Sequence, residues 1–325
     1  MKRGNARRFA LLAAILAVAG GLPGVALGWA GGTHGYIAKH TDFKAGLTSA
    51  DELCNRIYGA NAVDLFNLDM SPLGLALADI VHGRGNATAA EAWTIVTAMP
   101  DPADVDLAFA YGFSTHNDGW GTDSTAHWSG ITQARDRGYV IAKAEQLQAY
   151  LPPGALEGAG IPAGLQPLVS HLIVEYAVDL LLADVDPSLG AALAQSAACP
   201  VIADPAVLHA TLLPYVMRIL GSEDEATAHW IIGYADTISR GLVFQLGTVY
   251  SQPTPEVRAY AMSWLLAEFA RNLPGMEGAD PAALQPLVAQ LLGLGKMICA
   301  PDFRDEIDAT IGRVNGRMNS LGISP

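Results

Sequence analysis

His171, Glu175 and Asp179 follow one another at intervals of four in an otherwise apolar stretch, VSHLIVEYAVDLLLA. At about 100° per residue they form one narrow polar stripe on a helix that is apolar elsewhere. Burying two carboxylates there without partners is costly. A metal ion removes the conflict, because imidazole and carboxylate at i and i+4 can grip one cation. A narrow exposed stripe with an ordinary His–Glu pair is the alternative.

A second group of ligand types lies in GFSTHNDGWGTDSTAHW, residues 112–128, with His116, Asp118, Asp123 and His127. On one continuous helix Asp123 and His127 fall about 20° to either side of His116, and Asp118 points away. Gly119 and Gly121 argue against an unbroken helix, and a bulged loop demands a different geometry. Upstream, Asp64, Asp69, Asp79 and His82 lie among Pro and Gly, where acidic residues also serve as caps and turn formers. Six of the eight histidines precede position 172. His40, His209 and His229 read as ordinary helix residues. Trp93, Trp120, Trp128, Trp230 and Trp264 read as packing residues, with Trp120 or Trp128 near enough in sequence to line a pocket.

The elements that must position these groups are helical almost throughout. Helical periodicity runs through 165–185, 255–273 and 303–321, and proline-rich breaks such as YLPPGALEGAGIPAG, ACPVIADPAV and SQPTPE separate the segments. The fold class is therefore all-α, a multi-helix bundle. LQPLV occurs at 165–169 and again at 284–288, but the second copy has Gln290 and Leu294 where the first has His171 and Glu175. Its chemistry is not repeated.

The chain opens with basic MKRGNARR and an apolar stretch ending in Ala26-Leu27-Gly28, which reads as a signal peptide cleaved before Trp29. The expected location is secreted or periplasmic. The organisation is then 1–28 signal, 29–195 metal-binding helical region and 196–325 helical region packing on it. Losing four Lys/Arg and no Asp/Glu takes the net charge from −13 to −17. So acidic a surface disfavours a stable nucleic-acid partner, although metal ions can hold a phosphate locally. Cys54, Cys199 and Cys299 form no CxxC pair; both Cys199 and Cys299 border a proline-containing loop, and these two are the expected disulfide. After the signal, no apolar run reaches membrane-spanning length free of charges or breakers.

Together these residues resemble the zinc-dependent phospholipase C family and the related zinc-type single-strand nucleases. Trp29 and His34 in WAGGTHGYIAKH are similar to that family's WGxxTHxxIA start. Asp64 in GANAVDLFN is similar to its G-A-x-x-P-D-x-F, with Val63 in place of Pro, and His82 is the His that follows in order. His116 after FAYGFST is similar to the family's GFLSH context. His127 matches the second of its paired histidines, and His171 with Glu175 its H-x3-E. The resemblance covers about 29–180. It implies an all-α fold and up to three zinc ions held by Trp29 (through its freed amino group and carbonyl), His34, Asp64, His82, His116, Asp123, His127, His171 and Glu175. It also implies that Asp64 orients or deprotonates the attacking water. The spacing here is H-x6-D-x3-H rather than H-x3-D-x5-H, an insertion that leaves Asp118 as an alternative to Asp123 for the bridging ligand. Asp179 is a candidate to orient a ligating His.

The function implied is hydrolysis of a phospholipid or other phosphodiester by a metal-activated water, with transient contact to a membrane surface. Two alternatives stand beside it: a zinc-type nuclease or nucleotidase, and a non-catalytic exported helical metal-binding protein.

Overall fold

The computed structural model describes residues 29–44, 48–67, 69, 71–82, 87–132, 136–199, 203–221 and 224–324; the expected signal segment 1–28 lies outside them. In chain order the elements are α1 (Gly31–His40), α2 (Ala50–Ala62), a 3₁₀ turn (Val63–Phe66), α3 (Pro72–His82), α4 (Ala87–Thr97) and α5 (Asp104–Thr115). A π-turn (Ser124–Trp128) leads to α6 (Tyr139–Tyr150), the single turn α7 (Ala155–Gly158) and α8 (Gln166–Val185). Then come α9 (Leu189–Ala197), α10 (Pro205–Leu220), α11 (Glu225–Tyr250), α12 (Pro255–Ala270), α13 (Pro281–Cys299) and α14 (Phe303–Ser320). Among the described residues there is no strand, and the protein is an all-α bundle.

Helix starts follow the polar and proline signals. Ser49 and Glu52 form a reciprocal capping box on α2. Asp204, Thr254 and Asp280 accept backbone N–H groups ahead of the first-turn prolines of α10, α12 and α13.

The buried apolar residues divide into two cores. One lies around α8 and draws on α6, α9, α12 and α13. The other gathers α3, α4, α5 and α10. Three helices cross both, among them α2, which gives Ile57 to one core and Tyr58 and Ala62 to the other. The α11 helix, about 39 Å long at 1.5 Å per residue, gives Ile232 to one core and Leu246 and Tyr250 to the other. The α14 helix likewise contributes Ile307 and Val314 to different cores. Helices from 196–325 thus complete the packing of the ligand-bearing helices.

The two LQPLV helices, α8 and α13, lie side by side, close enough that a Cβ on Gly295 would sit 2.9 Å from Ala177 Cβ. By length and composition α13 could cross a membrane. Here it carries Pro286 and Lys296 and is packed against α8 and α12.

The disulfide differs from the expected Cys199–Cys299 pair: Cys54 is bonded to Cys199, with Cα atoms 5.9 Å apart. The reason is packing. Cys199 follows α9, which lies on α2, the helix carrying Cys54. Cys299 is a free buried thiol at the end of α13, and burial pushes its pKa up to about 12. Trp230 also departs from the packing role, being 66% exposed on α11.

The closest helix pair sets up the site. A Cβ on Gly59 of α2 would lie 2.1 Å from Phe109 O, and one on Gly112 of α5 would lie 2.0 Å from Arg56 O. Neither backbone can give way without parting the helices. Gly112→Ala is therefore expected to destabilise by about 1–3 kcal/mol or more. Gly293→Ala, in open space on α13, is expected to stabilise by about 0.5–1 kcal/mol. Chemical denaturation of both variants checks the contrast, and equal effects would remove the close-contact explanation.

Candidate metal centre

The α2–α5 crossing delivers two donors, and α3 brings a third. It brings Ala60 O within 2.7 Å of His116 Nδ1, just past the end of α5. Asp64 stands on the 3₁₀ turn that follows α2 directly. His82, the last residue of α3, has Nδ1 2.7 Å from Ala78 O. Both rings can donate through Nδ1–H to a carbonyl, so Nε2 is turned to the carboxylates. His82 Nε2 lies 3.0 Å from Asp64 Oδ1, and His116 Nε2 lies 3.6 Å from the same oxygen.

The 112–128 segment is not one helix. The chain leaves α5 at Thr115 and turns around Asn117, whose Oδ1 accepts from the N–H groups of Gly119, Trp120 and Gly121 at 3.0, 2.8 and 3.0 Å. A side chain at 121 would meet Thr115 O at 2.4 Å. The loop re-enters helical geometry at Thr122 and Asp123, followed by the π-turn.

Asp123 then occupies the centre. Its Oδ2 is 2.8 Å from His116 Nε2 and 3.5 Å from His82 Nε2, and its Oδ1 is 3.4 Å from His34 Nε2. Asp118 stands to one side, with Oδ1 3.3 Å from His127 Nδ1. The His34 and His116 rings stack at 3.6 Å, and Thr122 Oγ1 is 3.0 Å from His34 Nδ1.

The third group comes from the π-turn and α8. His127 Nε2 lies 3.3 Å from His171 Nε2, and His171 Nε2 lies 2.6 Å from Glu175 Oε1. All three side chains are buried, so the stripe on α8 is not an exposed face. Its last member has a different task from the one expected. Asp179 does not orient a histidine. It accepts from Gly32 N at 2.8 Å, from Thr33 N and Thr33 Oγ1 at 2.7 Å each, and from Tyr250 Oη at 2.6 Å. It caps the first turn of α1, the helix that carries His34.

Trp29 is fully buried, and its indole Nε1 donates to Thr122 O at 3.1 Å, next to Asp123. Four sets of ligand atoms fall within metal-binding reach of one another. They are His34/His116/Asp123, Asp64/His82/His116, His127/His171/Glu175 and Asp118/Asp123/His127. His40 and Asp79 lie exposed outside them, and Asp69 accepts from Ser71 N in a turn. His209 and His229 pair with each other on α10 and α11, Nδ1 to Nδ1 at 2.7 Å. Reading for ligand types misses Thr122, Tyr250 and Asn117, which touch ligands or their supports through hydrogen bonds alone. Only Asn117, in N-D-G, carries a local signal, that of an Asx turn.

The electrostatics ask for a cation. Burial, then the His116 charge, drives His34 down to about 3. Burial also acts against charge on His82, but the Asp64 hydrogen bond and the charges of Asp123, Asp64 and Asp118 outweigh it and push His82 up to about 10. Asp123 resists burial in the same way and is held well below the carboxylate range by His116, His34 and His82. Burial pushes Glu175 up to about 7 against the pull of His171. His34 Nε2 and Asp123 Oδ1 are buried without a hydrogen-bond partner among the described residues. Electron-pair donors converging at such distances need a proton or a metal ion between them, and these residues fit a metal ion.

The two occupants compete, which gives a sign to metal uptake. In the metal-free chain His82 stays protonated up to about pH 10, so binding at pH 7–8 must expel that proton. His34 is already neutral there and expels none. Titration calorimetry with zinc in buffers of different ionisation enthalpy is expected to show net release of about one to two protons per chain. Binding without release would mean that His82 is not a ligand. The metal-free His82–Asp64 contact stabilises the fold fully below His82's ordinary value near 6.5 and loses that contribution as pH rises through about 10. No protein-family model, curated protein or solved structure matches this chain, so its chemistry is read from its own geometry.

Proposed function

We propose that the chain is an exported zinc-dependent phosphodiesterase of the phospholipase C type. The observation that carries this reading is the sharing of donors: His116, Asp123 and His127 each belong to two of the four ligand groups. Ions held by groups that share ligands lie close together, the arrangement that suits displacement at phosphorus.

Zinc suits the donors, which are imidazoles and carboxylates with no thiolate. His127 and His171 present nitrogens 3.3 Å apart, about the separation of two nitrogens on one tetrahedral zinc. His82, His116 and Asp64 would hold one ion; His127, His171 and Glu175 a second; Trp29 and His34 a third; Asp123 would bridge. When bound, the zinc ions supply positive charge to the phosphoryl oxygens and lower the pKa of a water at neutral pH.

The protein's own contribution is orientation. Asp64 is the most open carboxylate of the centre, its side chain 22% exposed where that of Asp123 is 0%. Asn67 Nδ2 donates to its Oδ1 at 2.6 Å, and His82 Nε2 lies 3.0 Å from the same oxygen. A carboxylate so fixed and partly open is our candidate to orient or deprotonate the attacking water. Trp128, 42% exposed with its ring 6.5 Å from His127, offers an aromatic surface beside the site. The acidic charge favours a phospholipid over a long nucleic acid, and the Cys54–Cys199 bond agrees with export. The expected products are diacylglycerol and a phosphorylated head group.

The test uses residues 29–325 loaded with zinc. A chromogenic phosphocholine ester is expected to be hydrolysed, and Asp64→Asn to lower kcat by roughly 10²- to 10⁴-fold. Faster turnover of single-stranded DNA would move the assignment to the nuclease reading. A full zinc complement with neither activity would make the chain a non-catalytic metal protein. One residue added before Trp29 is expected to remove one zinc and most activity; full activity in that variant would take Trp29 out of the ligand set.

A further inference from the structure

The segment from 124 to 132 holds His127 in a π-turn, closed by Ser129 N donating to Ser124 O at 2.9 Å. A wide i→i+5 turn is rare and needs its surroundings to hold it. Here the surroundings are the last helix. On α14, Glu306, Thr310 and Arg313 fall at i, i+4 and i+7, one face of the helix. Glu306 is completely buried and accepts from Ile131 N at 2.8 Å, Thr132 N at 2.7 Å and Thr132 Oγ1 at 2.6 Å. Among the described residues it forms no ion pair, so those three donors are its compensation.

Thr310 Oγ1 lies 3.0 Å from Thr125 Oγ1, to which the Trp29 indole points at 3.4 Å. Arg313 grips both ends of the π-turn, with Nη2 donating to Ser124 Oγ at 3.0 Å and Nη1 to Ser129 Oγ at 2.8 Å. The helix is itself fixed: Asp302, just before it, accepts from Tyr139 Oη at 2.6 Å and Lys143 Nζ at 2.7 Å.

We infer that α14 is a clamp on the metal centre, with Glu306 and Arg313 as positioning residues that hold the His127 turn against His171 and Glu175. Docking of the C-terminal helix and metal occupancy at that group are then thermodynamically linked, each favouring the other. Outer partners that fix a ligand's orientation commonly carry 10- to 100-fold in metal affinity. This rests on the metal reading above.

The experiment compares wild-type 29–325 with Glu306→Gln, Arg313→Gln and Arg313→Lys at buffered free zinc. Zinc per chain is measured by elemental analysis, and amide hydrogen exchange of 303–320 is measured with and without zinc. Zinc is expected to slow exchange in α14 of the wild type. Glu306→Gln and Arg313→Gln are expected to weaken one zinc by roughly 10- to 100-fold, leave the others bound, and lose that zinc-dependent protection. Arg313→Lys, which keeps the charge and one donor, is expected to restore part of both. Arg313 is only partly buried, so its variants report even where Glu306→Gln fails to fold. Unchanged zinc content and unchanged α14 protection in a wild-type-loaded comparison would overturn the clamp alone. A wild-type chain that binds no zinc would overturn the metal reading and the clamp with it.

Discussion

A carboxylate with no access to water, set among three imidazoles, is the constraint around which this bundle is arranged. Asp123 is 0% exposed, and a buried carboxylate persists only with compensating charge or donors held at short range. Each surrounding ring is held from behind: His116 against Ala60 O, His82 against Ala78 O, His34 against the Thr122 hydroxyl. Those holds need backbones in particular places, and the Gly59–Gly112 contact supplies the first of them. Two apolar cores are built around this site, and α2, α11 and α14 contribute to both.

Much of the candidate ligand set was legible because residues able to hold a metal are of a few types at short helical spacings. His171 and Glu175 stand out in VSHLIVEYAVDLLLA since the only other charged residue in that stretch is Asp179. The all-α class was legible from periodicity and proline punctuation, and α8, α12 and α14 lie where the periodic segments predict them, to within a few residues. Two corrections share one cause: roles that depend on long-range packing leave no local trace. Asp179 continues the stripe of its helix by spacing, yet its partners are Gly32, Thr33 and Tyr250, more than 70 residues away on either side. The disulfide follows the docking of α9 on α2 rather than the likeness of two cysteine contexts. The loop at 116–121, which Gly119 and Gly121 already pointed to, forms because Asn117 offers its side chain to three successive N–H groups, an advantage that angular arithmetic on a helix cannot register.

The two ends of the described chain meet at the same turn. The Trp29 indole reaches Thr122 and Thr125 from one side, and Thr310 and Arg313 reach Thr125, Ser124 and Ser129 from the other. Residues 64–175 supply most of the candidate donors, and polar contacts from both ends of the described chain meet at the turn that carries His127. This accounts for a long C-terminal half with no ligand-like pattern: its contribution is carried by single polar contacts spread along one helix face.

The Cys54–Cys199 bond closes a span of 145 residues, and Asp64, His82, His116, Asp123, His127, His171 and Glu175 all fall within it. Only Trp29 and His34 lie outside. Cross-linking a span of that size lowers the conformational entropy of the unfolded chain, an effect on the order of 5 kcal/mol in the loop-closure description. In the reduced chain, gathering the seven donors requires that ring to be closed by folding alone. In the oxidised chain the ring is already closed covalently. A residue pair that is in none of the candidate ligand groups thus favours, through the unfolded chain, the fold in which those donors meet.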